Sequence, residues 1–150
     1  MRRISAFISV MVFVLFGGAL QGQAQLAISA AADEAVPGWQ KMASPDGDRS
    51  VWVAPTPSLT SANIQRATPS ADRNGQPAIA IVFTDAGATK MRELSAAQNN
   101  KLIAMVMDGK VIWAPKVRGE IGKDAMITGG GQNGLSAEDS QRILASINRP

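Results

Sequence analysis

One strand of this chain is marked by the alternation of bulky and small apolar residues. Ile79, Ile81 and Phe83 share one face of an extended segment, and smaller residues occupy the alternate positions. This pattern predicts a strand over residues 78–83, fed by the turn at Asn74-Gly75, with a smaller face against which another element packs closely.

A second apolar stretch, residues 102–107, has no polar position, which is typical of an interior strand buried on both faces. Asp108-Gly109 follows it and favours a two-residue hairpin turn, because both turn positions require positive φ. The returning strand is predicted to cover residues 111–117, and Pro115 places its outer half at a sheet edge.

Turn residues divide the remaining chain into shorter elements. The cluster at 44–48 predicts a β-hairpin between segments 39–43 and 51–54. A short helix, capped at residue 60 or 61, is predicted to continue through residue 67. A short strand is predicted at residues 125–128.

Two further helices have capping residues and apolar stripes. Residue 84 or 85 is predicted to cap the first, and Ser136 the second. Helical spacing predicts that the stripe on the first comprises Ala88, Met91 and Leu94 and that on the second Ser140, Ile143, Leu144 and Ile147.

Residues 1–24 have the pattern of a secretory signal peptide. Arg2 and Arg3 precede an apolar run, and small residues lie where a signal peptidase that cuts before Gln25 would read them. The run is shorter than the roughly 20 residues of a membrane-spanning helix, although a retained N-terminal anchor is the alternative. The mature chain is expected in the periplasm or outside the cell, with no membrane span.

The segment 25–38 is alanine-rich and is predicted to be a flexible lead-in, which leaves 39–150 as the folded domain. The predicted elements run in the order two strands, helix, strand, helix, two strands, short strand, helix. This order favours an α+β fold, a mainly antiparallel sheet with helices on one face.

Charge and residue types exclude several functions. The chain has 15 basic and 12 acidic residues, so that 13 basic residues and a net charge of +1 are left without Arg2 and Arg3. The signs are mixed along the chain with no basic stripe, which argues against nucleic acid as a partner. There is no histidine base and no cysteine nucleophile, and no serine is followed three residues later by lysine.

No metal or cofactor site is predicted either. A zinc site would have to be built from carboxylates alone, which is rare. Asp46 and Asp48 resemble the start of a calcium loop, but the glycine and glutamate that such a loop needs do not follow. The segment is therefore predicted to be a turn.

The glycine-rich segment 129–134 matches the spacing G-x-G-x-x-G between a predicted strand and a predicted helix. Leu135 stands where a P-loop needs lysine, and the chain ends before the second strand of a dinucleotide-binding unit. A phosphate- or nucleotide-binding enzyme is thus a remote alternative, and a flexible link to the last helix is the simpler interpretation.

An ordered series of short motifs extends over roughly residues 58–148. It includes the start of the helix at residue 84, the hairpin at 108–111, the segment 114–117 and the helix beginning at Ser136. The motif residues are Thr84, Gly87, Asp108, Gly109, Lys110, Pro115 and Gly129. This series resembles the head of the large periplasmic domain of the SecD subunit of the protein-export machinery.

The resemblance implies a ferredoxin-like two-layer α+β sandwich and contact with polypeptides that cross the membrane. Two departures limit it. The glycine-rich segment is longer than in the family, and no segment resembles the family's transmembrane helices, so the resemblance does not imply a motor.

Met105, Met107 and Trp113 are candidates for an adaptable apolar surface that contacts peptides, although residues at strand spacing also commonly serve as core. The leading hypothesis is a non-enzymatic binding module for exported polypeptide or an envelope protein. The alternative is a domain for a small ligand or envelope partner with no link to export.

Overall fold

The computed structural model describes residues 26–45, 47–128 and 135–148. Antiparallel strands and two α-helices make up this part of the chain, which confirms the α+β class. The strands are β1 (Leu26–Ala32), β2 (Gln40–Ala43), β3 (Ser50–Val53), β4 (Leu59–Thr60), β5 (Ile64–Ala71), β6 (Pro77–Phe83), β7 (Leu102–Met107), β8 (Lys110–Trp113) and β9 (Asp124–Thr128). The helices are α1 (Asp85–Ala97) and α2 (Ala137–Ile147), and Ser61–Asn63 forms a 3-10 turn.

β1 is a central strand of a six-stranded sheet with the order β2-β3-β1-β7-β8, in which β4 also pairs with β1. The prediction of a flexible lead-in over residues 25–38 is wrong across this strand. Leu26 and Ala31 are completely or almost completely buried, and β1 pairs with β7 from Leu26 to Ala31. An alanine-rich segment has little strand preference of its own, and pairing on both sides holds it in place.

β5, β6 and β9 form a separate three-stranded sheet with β6 in the middle. The prediction of a short helix through residue 67 is wrong. Within this segment only Ser61–Asn63 is helical, as a 3-10 turn, and the chain is extended from Ile64 to Ala71. The reason is long antiparallel pairing with β6, which continues to the pair Ala71 and Pro77. Pro69, which disfavours a helix interior, lies within this extended stretch.

Both longer helices begin where the sequence predicts. The Thr84 hydroxyl accepts a hydrogen bond from the Gly87 amide at 3.0 Å, and the Ser136 hydroxyl accepts one from the Asp139 amide at 3.0 Å. The predicted stripe of α1 is buried. In α2 Ile143 is fully buried, and the other members of its stripe are half-buried.

The main core lies between the two sheets and both helices. It receives Ile81 and Phe83 from β6, Met105 from β7, Met91 from α1 and Ile143 from α2. A smaller cluster occupies the other face of the six-stranded sheet, which curls so that its outer strands β2 and β8 approach each other. β7 contributes alternate side chains to both clusters, which explains why it has no polar position.

This arrangement differs in one respect from the predicted fold. The strands form two separate hydrogen-bonded sheets, whereas the prediction places them in the single sheet of a ferredoxin-like sandwich. The ferredoxin-like arrangement is therefore not confirmed. Hydrophobic alternation identifies strands but does not say which strands pair.

Both predicted hairpins are present. β2 pairs with β3 through the turn at 44–49, of which Asp46 lies outside the described residues. Asp108 and Gly109 have φ of 52° and 76°, the left-handed values that the turn between β7 and β8 requires. β8 ends at Trp113 rather than at residue 117. Beyond the end of β8, Lys116 still forms an isolated antiparallel β-bridge with Leu102.

Candidate functional site

An apolar cavity of ≈ 290 Å³ lies between β8 and β9, which are each an edge strand of a different sheet. Its wall combines side chains from β1, β6, β7, β8, β9 and α1 with the loop that leads into β9. The lining includes Met105, Trp113, Glu120, Asp124, Ala125 and Met126.

The strand register brings two of the predicted contact residues together. Met105 of β7 is the cross-strand partner of Trp113 of β8, and both line the cavity. Met105 is buried and Trp113 is half-buried, so the indole is the more exposed member of this pair. Met107 belongs to the main core and does not line the cavity, so packing is its role in the structure.

The loop beside the cavity is fixed by hydrogen bonds to α1 and β6. The Ile121 amide donates to the hydroxyl of fully buried Ser95 at 2.9 Å, and the Phe83 amide donates to the Lys123 carbonyl at 2.9 Å. These bonds hold the segment that contributes Glu120, Ile121 and Gly122 to the wall of the cavity. Sequence patterns give no signal for this role of Ser95, since it depends on a partner 26 positions away.

The charged residues that line the cavity are acidic. Glu120 and Asp124 line it, and no lysine or arginine does so among the described residues. Glu120 pairs with Arg92 at 2.9 Å, and both side chains are more than half exposed. The cavity therefore combines a mainly apolar wall with two acidic residues in its lining.

Comparison with known proteins identifies the family. The family model of the SecDF P1 head subdomain matches residues 38–144, which is most of the chain. The chain belongs to the SecDF P1 head subdomain family. The resemblance predicted from the sequence motifs is thereby confirmed.

Relatives in this family are much longer than the present chain. Protein translocase subunit SecD of Acidaminococcus fermentans is 37% identical over 93 residues, which cover 61% of this chain and 22% of that protein. Protein translocase subunit SecDF of Thermus thermophilus is 38% identical over 94 residues, which cover 62% of this chain and 12% of that protein. The head-like chain thus corresponds to a small part of either translocase subunit.

Solved structures of SecDF have the same fold. The crystal structure of SecDF in its super-membrane-facing form matches with a TM-score of 0.62 and 23% identity, over 84% of this chain and 19% of that chain. A structure of SecDF described as a membrane component that enhances protein export matches with a TM-score of 0.60 and 23% identity, over 83% of this chain and 61% of that chain. Among the described residues, no helix is long and apolar enough to span a membrane.

The head-domain motif residues at the start of α1 serve the fold rather than the cavity. The Thr84 amide and hydroxyl both donate to the Asn63 carbonyl, at 2.9 and 3.3 Å. A Cβ on Gly87 would collide with the same carbonyl oxygen. Threonine and glycine at these positions therefore allow α1 to begin directly against the 3-10 turn.

The motif residues of the second hairpin also have structural roles. Asp108 accepts a bond from Arg142 of α2 at 2.7 Å, and Lys110, which follows the turn, is exposed. The Pro115 carbonyl accepts a bond from the Ile103 amide at 3.1 Å, so the chain beyond β8 stays beside β7. Gly129, the last motif residue, lies outside the described residues, as does the rest of the glycine-rich segment up to residue 134.

Proposed function

We propose that this head-like domain binds extended or unfolded polypeptide in its cavity, on the outer side of the membrane and in support of protein export. The observation that supports this most is an apolar cavity open between two sheet edges, in a domain of an export-subunit family. The domain acts by non-covalent contact, without turnover.

The walls of the cavity suit polypeptide of varied sequence. A volume of ≈ 290 Å³ accommodates one or a few apolar side chains rather than a large cofactor. Met91 and Met105 supply flexible, polarisable surface that adapts to different shapes, and Trp113 supplies a broad flat one. A binding site for many exported sequences needs this adaptability.

Fluorescence of Trp113 tests the proposal directly. The chain has three tryptophans, and replacing Trp39 and Trp52 by phenylalanine leaves Trp113 as the reporter in the cavity wall. Titration with a reduced, unfolded polypeptide is expected to shift the Trp113 emission in a saturable way. Apolar contact with the indole and its removal from water are the physical causes.

A matched pair of substitutions separates binding from fold stability. In the otherwise unchanged chain, Trp113→Ala is expected to weaken polypeptide binding about tenfold or more, because a large buried aromatic contact is lost. Trp113→Phe keeps most of the apolar area and is expected to retain most of the affinity. Calorimetric titration measures both variants, and equal binding by Trp113→Ala and the unaltered chain would contradict a role for the cavity.

We also propose that the domain functions outside the cytoplasm after cleavage before Gln25. β1 begins at Leu26, so this cut leaves the central strand of the larger sheet intact. N-terminal sequencing of the protein from an envelope fraction is expected to begin at Gln25. A sequence beginning at Met1 in that fraction would mean that the leader is retained.

A further inference from the structure

Exposed sheet edges differ in how well they resist pairing with another chain. Natural proteins protect such edges with lysine, proline or a covering element. β2 carries Lys41 and β8 carries Lys110, and these two strands also lie close to each other. β5 contains Pro69, and its Ala67 carbonyl accepts a bond from the Asn148 side chain at 3.0 Å.

Within the part of the chain that the structure describes, β9 has none of these protections. It contains no lysine, arginine or proline, and among the described residues it pairs with β6 alone. Met126 in its centre is 45% exposed and is the one large hydrophobic side chain exposed within the described ranges. β4, the remaining edge strand, is only two residues long. β9 is therefore the edge at which an additional strand meets the least opposition.

The position of β9 connects this edge with the cavity. Ile127 is buried in the main core and Ala125 packs against it, while Met126, between them along the strand, is exposed. A segment paired alongside β9 would place alternate side chains on these two sides of the sheet. One set would lie on the core side, where Ala125 and Ile127 pack, and the other would lie on the exposed side of Met126.

Charge at the cavity edge selects among possible occupants. Asp124 begins β9, and among the described residues no lysine or arginine forms an ion pair with it. Glu120 is already paired with Arg92. An incoming segment that carries lysine or arginine next to apolar residues complements Asp124, whereas an acidic segment is repelled.

We infer that an extended polypeptide segment with apolar residues beside a basic residue binds by adding a fourth strand to the three-stranded sheet along β9. This inference rests on the proposed function and deepens it, since it names the binding mode and the class of segment. Backbone hydrogen bonds to β9 supply affinity that does not depend on sequence, and the cavity and Asp124 supply preference.

Four related peptides test the binding mode. The first is a probe of about ten residues that alternates valine and threonine and ends in lysine. The second carries glutamate in place of lysine. The third and fourth are the lysine probe with N-methyl groups on alternate residues, one on the odd-numbered positions and the other on the even-numbered positions. Each peptide is titrated into the full chain in which Trp113 is the only tryptophan, and binding is measured from the change in Trp113 fluorescence emission. An unfolded polypeptide is titrated in the same way as a reference.

The lysine probe is expected to bind, and the glutamate probe about fivefold more weakly at low salt. One of the two N-methylated probes is expected to bind about tenfold more weakly or worse, because its methyl groups replace the amide hydrogens that face β9. Equal binding by the lysine probe and both methylated probes would overturn strand addition while leaving cavity binding intact. If unfolded polypeptide also leaves the emission unchanged, the proposed function itself fails.

Variants of exposed residues supply the matched controls. Met126→Lys places a lysine on the edge strand and is expected to weaken binding of the lysine probe about tenfold, whereas Met126→Leu is expected to retain binding. Asp124→Asn is expected to reduce the preference for lysine over glutamate with little loss of glutamate-probe binding. Unchanged binding of the lysine probe by the Met126→Lys variant would contradict the inference. The inference would also be contradicted if the free chain formed a dimer and Met126→Lys abolished it, because a second copy of the chain would then occupy β9.

Discussion

Gly87 allows a close approach that no other residue permits. The start of α1 lies against the 3-10 turn, where the Asn63 carbonyl accepts from both the amide and the hydroxyl of Thr84. An added Cβ at Gly87 would occupy the position of that carbonyl oxygen. Glycine is needed at this site for space, and its backbone has an ordinary helical conformation.

Gly87→Ala is therefore expected to lower the free energy of unfolding by about 1–3 kcal/mol, because helix and turn must move apart. Gly122→Ala is the matched control, since an added Cβ at that position meets open space. Urea unfolding measures both variants. Equal stability of the two would show that the contact at Gly87 relaxes without cost.

At the scale of elements, β1 shows how pairing overrides local preference. Its sequence is mostly alanine, and Leu26 and Ile28 are its only large apolar residues. It nevertheless forms a strand that pairs with β7 on one side and with β3 and β4 on the other. Leu26 and Ile28 face the main core, and Ala31 joins the smaller cluster on the opposite face. β1 is thus a structural strand of the domain rather than a linker before it.

Hydrogen exchange distinguishes these two roles. Amides of residues 27–31 are expected to exchange as slowly as those of β7, through global unfolding, because the two strands open together. Residues 33–35, which are exposed and follow β1, are expected to exchange much faster. Mass spectrometry of peptides from the exchanged chain measures both segments, and fast exchange in β1 would restore the lead-in interpretation.

At the scale of the whole molecule, α2 connects the two sheets. It packs on β5 and β6 of the smaller sheet and on β1 of the larger one, and Ile143 is completely buried among them. Its Arg142 also reaches Asp108 in the hairpin of the larger sheet at 2.7 Å, although both side chains are more than a third exposed. Burial rather than charge should therefore supply most of the connection.

Ile143→Ala is expected to destabilise the domain by about 2–5 kcal/mol, the range for a large side chain removed from a core. Asp108→Asn keeps a residue that tolerates positive φ but removes the ion pair, and is expected to cost less than about 1 kcal/mol. Urea unfolding of both variants gives the comparison. A larger loss in Asp108→Asn than in Ile143→Ala would assign the connection to charge.

The sequence allowed some parts of this account to be predicted and not others. Local signals sufficed for the caps of α1 and α2, the turn at Asp108-Gly109 and the buried stripe of α1, because each depends on residues only a few positions apart. They failed for β1 and β5, whose strand conformation comes from distant partners. In the site, Met105 and Trp113 were predicted, but Ser95, Glu120 and Asp124 were not.

The sequence by itself determined the family through an ordered series of motifs, and it determined the α+β class through the periodicity of apolar residues. Only the tertiary structure decided that the strands divide into two sheets and that their edges β8 and β9 enclose a cavity with carboxylates beside it. The physical reason is that pattern and capping are short-range properties of the chain. Strand order, and with it every surface between sheets, follows from which distant segments bury their apolar faces together.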